Sequence, residues 1–192
     1  MFELLKAQAK LDSVTIIAEK HGDENKLAIA LKITTKASNA VLEHFDSYLR
    51  NSLFREVRSG EQQPLIGENA FTAVRFPRIG AVSWDEDYTG YELDLGSDLE
   101  LKNPLQFVDV TLKKFRFEPI EGGSVAITFN ANVHPDTDEA GELCALVQEQ
   151  VTLTLRSPLT EEGADSQPDL DGVNDAAPDA LQQAAKQLGK AA

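Results

Sequence analysis

The chain has 192 residues, 42% of them hydrophobic, and a formal net charge of -14 at pH 7. This length allows one domain with a sizeable core. The negative charge opposes general attraction to nucleic-acid phosphates or anionic lipid, so a nucleic-acid site would have to be a local basic patch. No stretch approaches the roughly 20 apolar residues that span a bilayer, and the first residues lack the pattern of a secretion signal, so we expect a cytoplasmic protein with no membrane partner.

The first predicted element is an antiparallel β-hairpin over residues 12–36. Apolar and other residues alternate from Leu27 to Ile33, which is typical of a strand with one buried face. Residues 14–18 supply the partner strand, and the turn-forming residues 21–25 separate the two.

A helix is predicted next, over residues 39–54. Ser38 is a good N-cap, and the apolar residues that follow it recur at helical spacing. Polar residues with glycine and proline over 57–68 then indicate a surface loop, followed by a strand near 73–76.

The second half of the chain predicts three strands and a second helix. The strands lie where apolar residues again alternate, at 107–117, 125–133 and 151–155. Asp136 or Thr137 caps a helix over 138–149. Cys144, the only cysteine, has no partner for an internal disulfide and falls on the apolar stripe of this helix, where we expect it to be buried.

This order of elements favours an α+β fold in which an antiparallel β-sheet predominates. The sheet is either open and covered by two helices or partly closed into a β-barrel, of which the oligonucleotide-binding type is one form. We expect a single β-rich domain over residues 1–157. Residues 158–192 hold few large apolar side chains and several acids, which predicts a flexible acidic tail.

The segment from Trp84 to Glu100 contains many acidic residues and no basic one. It matches the first half of a calcium loop, but Gly96 stands where such a loop needs its bidentate glutamate, so we predict no metal site. Alternating leucines and carboxylates predict strands with a solvated acidic face.

Alternatively, the carboxylates imitate DNA phosphates and bind a protein partner, with aromatic residues as anchors of the interface. This alternative partner site comprises Trp84, Asp85, Asp87, Tyr88, Tyr91, Glu92, Asp94, Asp98 and Glu100.

Cations and aromatic residues are interleaved in two other segments, as they are on surfaces that neutralise phosphates and stack bases. The predicted nucleic-acid-binding residues are Arg75, Phe76, Arg78, Lys113, Lys114, Phe115 and Arg116. In a regular strand Lys113 shares a face with Phe115 and not with Arg116, so a single patch requires a bend or a second strand. A simpler interpretation is that the phenylalanines belong to the core and the cations to the solvated surface.

The sequence lacks recognisable catalytic motifs. It contains no Gly-x-Ser-x-Gly elbow, no phosphate loop, no Gly-x-Gly-x-x-Gly and no paired-histidine metal motif. We therefore predict no catalytic residues and no cofactor, and we expect a binding protein rather than an enzyme.

Part of the chain, residues 95–157, resembles uncharacterised proteins encoded by bacteriophages and prophages. The residues that carry the resemblance are Leu112-Lys113-Lys114-Phe115-Arg116-Phe117-Glu118-Pro119, Glu121-Gly122-Gly123-Ser124-Val125 and His134-Pro135. The resemblance implies a small accessory protein of phage DNA metabolism, or one acting against a host system, in the bacterial cytoplasm.

Single-stranded DNA binding in phage replication or recombination is the leading hypothesis for this sequence. The alternative is an acidic inhibitor or adaptor that binds a protein partner through the carboxylate face or the tail. Both hypotheses are compatible with an oligomer.

Overall fold

The computed structural model describes residues 1–21, 24–57, 71–96 and 104–158. One compact unit spans Met1–Pro158. Several predicted features lie wholly or partly outside the described residues: the turn at 21–25, most of the loop over 57–68, the carboxylates Asp98 and Glu100, and the acidic tail after residue 158.

Most described residues belong to β-strands. The strands are β1 (Leu4–His21), β2 (Glu24–Ser38), β3 (Phe54–Glu56), β4 (Phe71–Val74), β5 (Val82–Trp84), β6 (Tyr88–Leu95), β7 (Leu105–Ile120), β8 (Ser124–Val133) and β9 (Gln150–Arg156). Short helices are a 3-10 helix (Asn39–His44), α1 (Leu49–Leu53) and α2 (Thr137–Ala145). The predicted α+β class is confirmed, and no helix of the described part is long and apolar enough to cross a bilayer.

The main sheet closes on itself. Its order is β5-β7-β6-β9-β1-β2-β8, and β7 also pairs with β8. The strands β7, β6, β9, β1, β2 and β8 therefore form a ring, in which β8 and β9 lie on opposite sides. β5 pairs with β7 beyond the end of β6, and β3 and β4 pair with each other separately.

Apolar side chains fill the interior of the ring. Strand β8 shows this most clearly, because Val125, Ile127, Phe129, Ala131 and Val133 have no exposed surface while the residues between them are half-buried. Successive side chains of a strand point to opposite faces, so the half-buried set lies on the outer face of the ring. Burial of the inner set, at about 25 cal/mol per Å² of apolar surface, is the main stabilising contribution.

Bulges interrupt the regular pairing of the long strands. In β7, Lys113 pairs with Asn130 and Arg116 with Thr128, so three steps along β7 match two along β8. The extra residue is Lys114, whose φ of 56° lies in the left-handed region. A bulge of this kind bends the strand and increases its twist, which helps a sheet to close.

The helix predicted over residues 39–54 is interrupted. Ser38 caps its start as predicted, and the Ser38 hydroxyl accepts a hydrogen bond from the Ala40 amide at 3.4 Å. The first helical segment nevertheless ends at His44. The Asp46 carboxylate then accepts a hydrogen bond from the Tyr48 amide at 2.7 Å, a local turn that competes with helical bonding.

The second predicted helix begins where expected but ends early. Asp136 and Glu139 form a reciprocal cap in which each carboxylate accepts from the other residue's amide, at 2.8 Å in both cases. After α2, Gln148 has a φ of 70°, and its backbone N–H donates a hydrogen bond to the Leu11 carbonyl at 2.7 Å. This contact directs the chain into β9. Cys144 is exposed, so the prediction that it is buried is wrong; Leu143 faces the core instead.

Candidate nucleic-acid interface

The predicted cations Lys113 and Arg116 lie on the outer face of the ring. Their pairing partners on β8, Asn130 and Thr128, are half-buried residues of that face. The bulge at Lys114 puts Lys113 and Arg116 on the same face, because one extra residue shifts the side-chain alternation by one position. The expectation that Lys113 shares a face with Phe115 is therefore wrong, and the bulge supplies the bend that a single patch requires.

Phe115 lies in the core. Its side chain has 0% exposure, and its ring stacks on that of Phe129 at a centroid distance of 5.4 Å. The Phe45 and Tyr88 rings also lie against it, at 5.1 and 5.5 Å. The prediction that Phe115 contacts nucleic acid is corrected for this reason, because a ring with no exposed surface has no face to offer a base.

The other predicted basic segment is an exposed turn beside the end of β7. Phe76 is 53% exposed, and its neighbours Arg75 and Arg78 are exposed as well. A cleft of about 110 Å³ separates the turn from the end of β7, and its lining includes Phe76 and Glu118. Strand β5 follows the turn and pairs Ser83 with Arg116. The turn and the basic part of β7 are thus neighbours in the fold.

The cations of this region differ in their partners. Lys113 Nζ lies 3.4 Å from an Asp87 carboxylate oxygen, and the Arg75 guanidinium donates to the Phe54 carbonyl at 3.4 Å. Arg78, Lys114 and Arg116 form no ion pair with any residue that the structure describes. Cations without a carboxylate partner can bind phosphate directly.

The carboxylates of the alternative partner site are partly neutralised. Arg156 Nη1 lies 2.9 Å from an Asp94 oxygen and 3.7 Å from a Glu92 oxygen. Leu93 and Leu95 are buried beneath them, so the predicted alternation of inward leucines and outward acids is confirmed for β6. Asp85 is exposed.

The aromatic residues of the acidic segment are held by contacts within the chain. Trp84 Nε1 donates to Glu86 at 3.1 Å, and the Tyr88 hydroxyl donates to the same carboxylate at 2.8 Å. Burial, followed by the bond to Glu86, raises the pKa of Tyr88 to about 12. Tyr91 is only 2% exposed, so the prediction that it anchors a partner is wrong.

Two further cations on the outer face were not predicted from the sequence. Lys32 pairs with Asn130 and Lys36 with Ala126, on the side of β8 opposite to β7. Both lysines alternate with buried residues of β2, so their outward orientation could have been predicted. Their proximity to β7 could not, because it depends on which strands pair.

Within the described ranges, no three His, Cys, Asp or Glu side chains are grouped so that they could hold a metal ion.

Comparison with known proteins identifies no relative of this chain. No model of a protein family, no curated protein and no solved structure matches the chain.

Proposed function

We propose that this protein is a non-enzymatic binding protein that holds single-stranded DNA on the outer face of β7 and the neighbouring turn. The bulge at Lys114 carries the proposal, because it puts Lys113 and Arg116 on one face. The exposed ring of Phe76 lies next to that face. The phage resemblance of residues 95–157 supports a role in phage replication or recombination in the bacterial cytoplasm. The proposed site comprises Arg75, Phe76, Arg78, Lys113, Lys114 and Arg116.

The proposed interaction uses charge and stacking. Lysine and arginine side chains neutralise phosphates and release condensed counterions, which makes binding dependent on salt. An aromatic ring stacks on a base of any type, since every base has a π-face. A local basic patch can act in a protein of charge -14, because salt screens exposed charges beyond about 10 Å.

Titration of a radiolabelled single-stranded oligonucleotide tests this function. With a strand of about 16 nucleotides, the upper end of the usual site size, we expect binding that weakens between roughly 50 and 200 mM salt. Arg116→Gln should reduce the slope of log K against log salt by about 0.7, the value for one phosphate of a single strand. Phe76→Ala should weaken binding by about 1–3 kcal/mol without changing that slope.

Arg156→Gln is the matched control for charge. It removes one positive charge from β9, on the opposite side of the ring from β8. Its binding curve and salt dependence should match those of the unmodified protein. Failure of the unmodified protein to bind the strand at low salt would contradict the proposed function.

Binding of a basic protein partner by the acidic segment is a second candidate. It is favoured by the exposed carboxylates of Asp85 and Glu92, and weakened by the contact between Arg156 and Glu92. An Asp85→Lys, Glu92→Lys double variant should lose such a partner in a pull-down while it remains folded. Identical partners for the variant and the unmodified protein would remove this candidate.

A further inference from the structure

The outer face of β8 is an uncharged strip. We define the β8 strip as the half-buried residues Ser124, Ala126, Thr128, Asn130 and Asn132. Strands β2 and β7 border it on either side. Its side chains are small or carry hydrogen-bonding groups, so an extended ligand can lie close to the sheet and form hydrogen bonds with it.

Cations border the β8 strip on both sides over the same stretch. Lys32 on β2 and Lys113 on β7 both pair with Asn130. Two more outward-facing cations follow on the same strands, Lys36 on β2 and Arg116 on β7. Adjacent strands lie about 4.8 Å apart, so cations of β2 and β7 are about 10 Å apart across the strip. At roughly 3.3 Å per residue, the border from Lys32 to Lys36 is about 13 Å long.

Positive charge predominates along this border. Lys32 and Lys36 are exposed and make no ion pair within the described part of the chain. The nearby Asp12 carboxylate accepts a hydrogen bond from the Thr34 hydroxyl at 2.7 Å. Glu118, which lies across Ala126 from Lys36, and Glu121 are the carboxylates that line the cleft between this end of the border and the turn.

We infer that a single DNA strand runs along β8, with its phosphates between the cations of β2 and those of β7. This inference rests on the proposed function and extends its site to Lys32 and Lys36. One phosphate occurs per roughly 3.4 Å of a stacked strand, so a border of about 13 Å accommodates about four phosphates. Cations repeated over that length fit a polyanion better than a single small anion. Past Glu118 the strand reaches the exposed Phe76 ring, on which a base stacks.

Single-charge variants test the path. Lys32→Gln and Lys36→Gln each remove one exposed cation from the border, while Arg156→Gln removes one from β9 across the ring. Each protein is titrated with the radiolabelled single strand at several salt concentrations. We expect each lysine variant to reduce the slope of log K against log salt by about 0.7, and the double variant by about 1.4. Arg156→Gln should leave the slope unchanged.

Glu118→Gln provides a test of opposite sign. It removes a negative charge from the path between the β8 strip and Phe76, so we expect tighter binding of the same strand, with the gain largest at low salt. Affinity equal to that of the unmodified protein would contradict the route past Glu118. Melting temperatures should be unchanged for all these variants, because the altered side chains are exposed.

The outcomes separate this inference from the proposed function. If Arg116→Gln weakens binding while Lys32→Gln and Lys36→Gln bind as the unmodified protein does, the path along β8 is wrong and the proposed function stands. If the unmodified protein binds no single strand at low salt, both are overturned. A duplex of the same sequence that binds as tightly as the single strand would overturn the assignment to a single strand.

Discussion

Replacing Phe115 with alanine distinguishes a core residue from a ligand-binding one. The side chain has 0% exposure, and aromatic rings surround it, the nearest with centroids at 5.1, 5.4 and 5.5 Å. Truncation of a phenylalanine in such a setting costs about 3–5 kcal/mol, from lost apolar burial and from the cavity that remains. At roughly 2–4 °C per kcal/mol for a protein of this size, the melting temperature should fall by about 6–20 °C.

Urea unfolding followed by circular dichroism measures this loss. Phe76→Ala is the control, since an exposed ring should change the free energy of unfolding by no more than about 0.5 kcal/mol. Phe115→Leu keeps apolar volume, so it should remain folded and bind the single strand as the unmodified protein does. A Phe115→Ala variant that loses less than about 1 kcal/mol of stability yet no longer binds the strand would contradict a core position for this ring.

Three further predictions concern single residues. The raised pKa of Tyr88, about 12 against 10.0 in an unfolded chain, makes the unfolded state lose its proton first; stability should therefore fall as pH rises from 10 towards 12, and less so in Tyr88→Phe, as measured by urea unfolding across that range. Asp136→Ala removes the reciprocal cap of α2 and should cost about 1 kcal/mol in the same assay, whereas Asp136→Asn should retain most of that stability. Lys114→Gly should preserve or raise the melting temperature, because glycine adopts a φ of 56° freely, and Lys114→Val should lower it; the reverse order would contradict the bulge.

The strands could be predicted because burial on one face leaves a local period of two. The hairpin of β1 and β2, and strands β7, β8 and β9, all follow from that pattern. The closing of the sheet could not be predicted, since the pairing of β7 with β8 and of β1 with β9 depends on contacts far apart in sequence. Lys32 and Lys36 were missed for this reason.

The bulge in β7 had left a trace in the sequence. Val110 and Leu112 occupy one phase of the alternation, and Phe115 and Phe117 occupy the other, so the phase changes between them. If the strand were regular, Lys113 would lie on the same face as Phe115, whereas it lies on the outer face. The break near Asp46 has a comparable local cause, because a short acidic side chain that bonds to a nearby amide competes with a helix even where apolar spacing favours one.

Trp84 gives the protein an optical reporter of its own. It is the only tryptophan of the chain, so the tryptophan emission of the protein arises from one indole. That indole follows Ser83, the partner of Arg116 in the β5–β7 pairing, and its ring lies 6.3 Å from that of Phe45. Events on the outside of β7 and rearrangements of the aromatic interior can therefore be followed in real time at a single position, without a dye and without an engineered residue.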